Sequence, residues 1–136
     1  MSDLSDYLEN ALLNHILRNT AYTSPGSNVW VALYTSATTD SGGGTEVSGG
    51  SYARVRVQGT GAWDAPSNGA TANTSDITFT TASASWGTVS HTALKDSSTS
   101  GGSNNTLFHG ALTSSKTVGN GDTFKFNAGD FDVTMA

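Results

Sequence analysis

Beyond Pro25 the chain never sustains the spacing of apolar side chains, about 3.6 residues, that a helix needs, and this limits its possible folds more than any other feature. Before Pro25 the spacing is present. Leu4, Tyr7, Leu8, Ala11, Leu12, His15 and Ile16 fall on one stripe, widened by Leu13 and Leu17, which predicts an amphipathic helix over residues 4–18. Asp3, Asp6 and Glu9 lie in its early turns and Arg18 near its end, as the helix dipole favours. Asp6-x-x-Glu9 resembles a capping box, and Asn19, then Pro25-Gly26, stop the helix.

After Pro25 the apolar period falls to two. Val29 to Tyr34 reads as a strand buried on both faces. Tyr52 to Val57 alternates, with Ala53, Val55 and Val57 inward and Tyr52, Arg54 and Arg56 outward. Further strands are expected at Ile77–Phe79, Trp86–Leu94, Thr106–Leu112 (turning near Ser114-Ser115), Thr123–Phe126 and Phe131–Met135, the last two joined as a hairpin through Asn127-Ala128-Gly129-Asp130. Composition agrees: 19 Ser, 20 Thr, 16 Gly and 10 Asn make up nearly half of the 136 residues, and these types favour strands and turns over helices. The expected fold is all-β: a compact β-sandwich or barrel-like domain of about 7–8 short strands with one N-terminal amphipathic helix. It is read as a single domain, residues 1–136, with a helical arm at 1–20 and a β domain at 28–136. Trp30, Val31, Leu33, Val55, Val57, Phe79, Val89, Phe124, Phe126 and Val133 are its expected core.

Charge and residue types exclude several functions. The net charge is −5, and of the six cations only Arg54 and Arg56 lie close together, so neither nucleic acid nor an anionic membrane is an expected partner. The absence of cysteine removes disulfides, thiolate metal sites and thiol nucleophiles. No Gly-x-Ser-x-Gly elbow, phosphate loop or His-Glu-x-x-His is present. His15, His91 and His109 therefore read as structural, and Asp122, Asp130 and Asp132 as turn residues before calcium ligands. The sequons at Asn73 and Asn104/Asn105 read as chance matches, and Trp63 or Tyr52 as packed aromatics before sugar platforms. Neither enzymatic activity nor a cofactor is expected.

Tyr7-Leu8-Glu9-Asn10-Ala11-Leu12-Leu13-Asn14-His15, Val31-Ala32-Leu33-Tyr34-Thr35, Trp86-Gly87-Thr88-Val89-Ser90-His91, Gly110-Ala111-Leu112 and the stretch from Gly121 to Asp130 together resemble a family of small tailed-bacteriophage virion structural proteins, in order and over nearly the whole chain. The resemblance implies a place in the virion, assembled in the host cytoplasm, and either a capsid decoration (cement) role or a tail-fibre-like one. A fibre usually needs an elongated shaft or repeats, which this sequence lacks, so capsid decoration is expected first. A tail or tail-fibre component, including a carbohydrate-binding host-adsorption module, is the alternative. Expected partners are the major capsid protein or other virion proteins and further copies of the chain, a trimer first. The helix is broader in apolar surface than one contact needs, which makes Leu4, Tyr7, Leu8, Ala11, Leu12 and Ile16 the expected protein interface.

Overall fold

The computed structural model describes residues 3–99 and 104–135. In chain order these form β1 (Asp3–Leu4), α1 (Asp6–Leu17), β2 (Trp30–Tyr34), β3 (Val55–Arg56), β4 (Ala70–Ala72), β5 (Ile77–Thr78), β6 (Gly87–Lys95), β7 (Thr106–Val118), β8 (Lys125–Phe126) and β9 (Asp132–Thr134). Every pairing is antiparallel. One five-stranded sheet has the order β1-β7-β6-β2-β3, and two ribbons pair β4 with β9 and β5 with β8. The fold is all-β, as expected, with one helix at its N-terminal end among the described residues.

The two faces of the large sheet differ in chemistry. Val31 and Leu33 of β2, Val89 and Leu94 of β6 and Leu107 of β7 join one apolar core with Ile77, Phe79, Phe124, Phe131 and Val133 from in and around the ribbons. Aromatic edges bind this layer together: Phe124 meets Phe79 at 5.8 Å and Phe126 at 5.1 Å between centroids, and Phe126 meets Phe131 at 5.0 Å. Ala32, Tyr34 and Ala93 form a second, smaller cluster, so β2 is buried on both faces as its unbroken apolar run predicted.

Three expected core residues are less buried than their apolarity suggested. Trp30, Val55 and Phe126 are half-buried, because Trp30 begins β2, β3 is two residues long, and Phe126 lies at the rim of the aromatic cluster. The expected hairpin between β8 and β9 is also absent, since these strands diverge to different ribbons. Asn73, only 1% exposed, holds them apart. Its amide donates to the carbonyls of Ser75 and Asn127, its side-chain oxygen accepts the Phe131 N–H, and its own carbonyl accepts the Gly129 N–H. Such burial also removes Asn73 as a glycosylation acceptor. The turn expected at Ser114-Ser115 is a wide bulge inside β7, where Ser90 alone faces residues 112–115.

The alternation expected at residues 52–57 is inverted at its start: Ala53 is exposed and Arg54 is 7% exposed. The guanidinium makes a two-pronged ion pair with Glu46, Nε to Oε1 and Nη2 to Oε2, each at 2.7 Å. Its Nη1 donates to the Ser97 and Thr99 carbonyls and to Asn104 Oδ1. Tyr52 joins from the side, its hydroxyl donating to Glu46 Oε1 and accepting the Leu33 N–H. Burial, then the Glu46 charge, pushes the Tyr52 phenol far up. Nearby Lys95 is buried against Thr106 Oγ1 at 2.7 Å, and desolvation together with the Arg54 charge lowers its pKa. The period of two could not reveal this polar layer, because the loops that cover it come from residues distant in sequence.

Arg54→Met strands Glu46 without its cation and is expected to cost about 3–5 kcal/mol in chemical denaturation, whereas Arg54→Met combined with Glu46→Gln recovers part of that loss. Phe131→Ala, at a fully packed site, is expected to cost about 3–5 kcal/mol, and Phe126→Ala at the rim clearly less.

Candidate functional site

The N-terminal segment is fastened to the sheet before the helix begins. Asp3 and Leu4 pair with His109 and Phe108 of β7, so Leu4 belongs to a strand and the helix starts at Asp6. The N-cap is Ser5, one residue ahead of the expected box: its Oγ accepts the Leu8 N–H at 3.2 Å and donates to the Thr106 carbonyl. The Ser5 N–H donates to the Leu107 carbonyl and the Asp6 N–H to the Asp40 carbonyl, both at 3.0 Å. At the other end Asn19 adopts a left-handed backbone, φ 52°, and the Arg18 and Thr20 N–H groups both turn back to the Asn14 carbonyl.

So fastened, α1 has two unlike apolar faces. Leu8 is buried in the main core, while Ala11 and Leu12 are half-buried on the same side. On the outer side Leu13 is 55% exposed, Ile16 72% and Leu17 75%. Of the expected interface residues, Leu4 and Leu8 are thus engaged within the domain, Ala11 and Leu12 lie at its margin, and Tyr7 and Ile16 face outward. Leu13 and Leu17, expected only to widen the stripe, form the outer row with Ile16.

An apolar groove of about 440 Å³ runs beneath the inner side of α1. Leu12, Tyr22, Val29, Trp63 and Val133 are among its lining residues, with Met135, itself 51% exposed. Sequence reasoning did not find this groove, because it forms where α1, the large sheet and the β4–β9 ribbon meet. Only the scattered apolar character of these residues pointed to it. Trp63, weighed as a sugar platform, is committed to the domain: its Nε1 donates to the Val57 carbonyl and its ring packs edge-on against Phe131.

The polar candidates have local partners. His109 is buried, with Nδ1 at 2.9 Å from Thr38 Oγ1 and Nε2 at 2.9 Å from Asp40 Oδ1, which holds the 38–40 segment against β7. That segment in turn supplies the Asp40 carbonyl at the start of α1. His91 Nδ1 bonds Ser90 Oγ, and His15 Nδ1 accepts the Tyr22 N–H. Asp122 accepts the Gly119 N–H and Asp130 the Asn127 amide, the bonds of turn residues. Among the described residues no group of three or more histidine or acidic side chains is placed to hold a metal ion.

Ile16→Asp is expected to change stability by no more than about 0.5 kcal/mol, because the side chain has little to lose within the domain. Leu8→Ala, four residues into the chain's anchored segment, is expected to cost about 2–5 kcal/mol in the same denaturation measurement.

The geometry can be set beside known proteins. No curated protein matches the chain. The family profile described as podophage GP4 fiber I protein gp80 matches residues 3–134, which takes in β1, α1 and every later strand. The chain belongs to the podophage GP4 fiber I protein gp80 family, a family of tailed-phage virion structural proteins, and its place is in the virion.

Proposed function

We propose that the chain is a non-enzymatic structural subunit of the phage fibre, attached to neighbouring virion proteins through the outer face of α1 and the apolar rim beside it. The observation that carries this reading is the row Leu13, Ile16 and Leu17, left uncovered on a helix whose other face is already bound to its own domain. Three aliphatic side chains more than half exposed on one short helix are a cost in water unless a neighbour covers them. The fibre role draws support from the family description. Compactness does not count against it, because the matched region is the compact domain itself.

Capsid decoration is the second reading. It is favoured by the absence of a shaft or repeat in the sequence and by the suitability of a small globular domain for a repeating lattice. A density map of the intact virion, with the copy number of the chain measured against the capsid protein, separates the two. Density confined to the fibres at low copy number is the expected result. Density across the outer capsid at a copy number near that of the capsid protein would replace the fibre reading with decoration. In either location, particles carrying Ile16→Asp are expected to retain markedly less of the protein than wild-type particles.

A further inference from the structure

We infer that a polar cleft, formed where the first turn of α1 meets the end of β6 and the start of β7, binds a neutral saccharide through the Lys95 ammonium and the side-chain oxygens around it. This site is separate from the outer face of α1 and does not depend on the role proposed for that face.

The cleft has a volume of about 370 Å³. Lys95 and Thr106 belong to its lining and are 3% and 6% exposed. The Lys95 ammonium has three N–H donors and spends one on Thr106 Oγ1, at 2.7 Å. Among the described residues no carboxylate lies within ion-pair distance of it. Two donors of a buried cation are thus left to whatever fills the cleft, and a buried donor without an acceptor is costly. Gly42 keeps the space beside them open. Its φ is 85°, and a Cβ there would stand 3.3 Å from Thr106 Oγ1.

The other polar groups of the lining include several acceptors. Asp40 bonds His109 through Oδ1 and has Oδ2 to spare. The amide nitrogen of Asn105 is taken by Asp96, which leaves its Oδ1 unused, and the Asp6 carboxylate makes no bond among the described residues.

This combination sorts ligands by charge. An anion drawn to Lys95 meets Asp6 and Asp40, and a cation drawn to those carboxylates meets Lys95. A hydroxyl group both donates and accepts, so neighbouring hydroxyls of a sugar ring accept from Lys95 and donate to the acidic side without adding charge. Tyr7 supplies an aromatic face: it lines the cleft and is 41% exposed, open to the C–H groups of a sugar ring. Trp63 and Tyr52, the aromatics weighed for that task on sequence grounds, are instead tied by hydrogen bonds inside the domain.

Full-length protein is applied to an array of neutral and acidic bacterial surface saccharides, and the neutral ones that bind are titrated into isotope-labelled protein. Amide shifts are expected to concentrate at Tyr7, Gly42, Lys95 and Asn105. Lys95→Met, which removes the charge and keeps the bulk, and Tyr7→Ala, at an exposed side chain, are each expected to weaken binding roughly tenfold or more. Lys116→Met, near the far end of β7, is expected to bind as the wild type does. Circular dichroism and the unfolding midpoint check that each variant is folded, and Tyr7→Ala carries the test if Lys95→Met is not.

An array without neutral hits overturns the site, as does binding that survives every folded cleft variant. Binding confined to acidic saccharides also overturns it, since Lys95 would then outweigh the two carboxylates. If no saccharide binds and particles carrying Tyr7→Ala lose the protein, the cleft is a contact with a neighbouring virion protein instead. Ile16→Asp is expected to leave saccharide binding unchanged, so this site and the assembly reading fail independently.

Discussion

The buried Arg54 guanidinium organises one face of the large sheet. Arg54 extends from the start of the β3 region over the polar side of the sheet, and its three nitrogens make five hydrogen bonds, to Glu46, two backbone carbonyls and Asn104. Those partners lie on two loops that contribute no strand to the sheet. Through Arg54 the chain at Glu46 is tied to Ser97, Thr99 and Asn104. Glu46 carries the constraint inward: it takes the Tyr52 hydroxyl, which takes the Leu33 N–H. This polar layer adds to the hold that buried Val47 and the Val47 N–H bond to the Leu33 carbonyl already give the first of the two loops.

The helix depends on a comparable fastening. A helix of twelve residues is marginal in water. Here it is begun by a cap that is simultaneously bonded to β7, preceded by a strand pairing, and followed by a left-handed Asn19. These backbone contacts fix its direction while only Leu8 is fully buried. That is why the outer row can remain apolar: the helix is held by its ends and one edge, and its free face is open to a neighbour.

Much of the fold was legible from residues 29–34 and 86–94, where long apolar or alternating runs favour strands. The helix was legible for the same reason, with its start displaced by one or two residues because Ser5, Asp3 and Asp6 are all plausible caps and only the pairing with β7 selects Ser5. The assembly surface was half legible. The excess width of the apolar stripe was visible, but which residues of it face outward depends on the side the sheet occupies, and this turned attention from Leu8 to Leu13 and Leu17. The groove beside α1 was not legible at all, since its walls come from both ends and the middle of the chain.

By itself, then, the sequence determined what depends on neighbours along the chain: an N-terminal helix, strands after Pro25, turn-rich connections, and the lack of any local motif for catalysis or metal binding. Tertiary structure decided what depends on distant partners. It buried Arg54 where alternation placed it outside, and sent β8 and β9 to different ribbons around Asn73. It also divided the apolar helix into an engaged face and a free one. The physical reason is the range of the interactions. Periodicity and capping act over a few residues, whereas the desolvation of a guanidinium or an amide is tolerable only when backbone and side-chain partners arrive from elsewhere, and sequence spacing carries no record of their arrival.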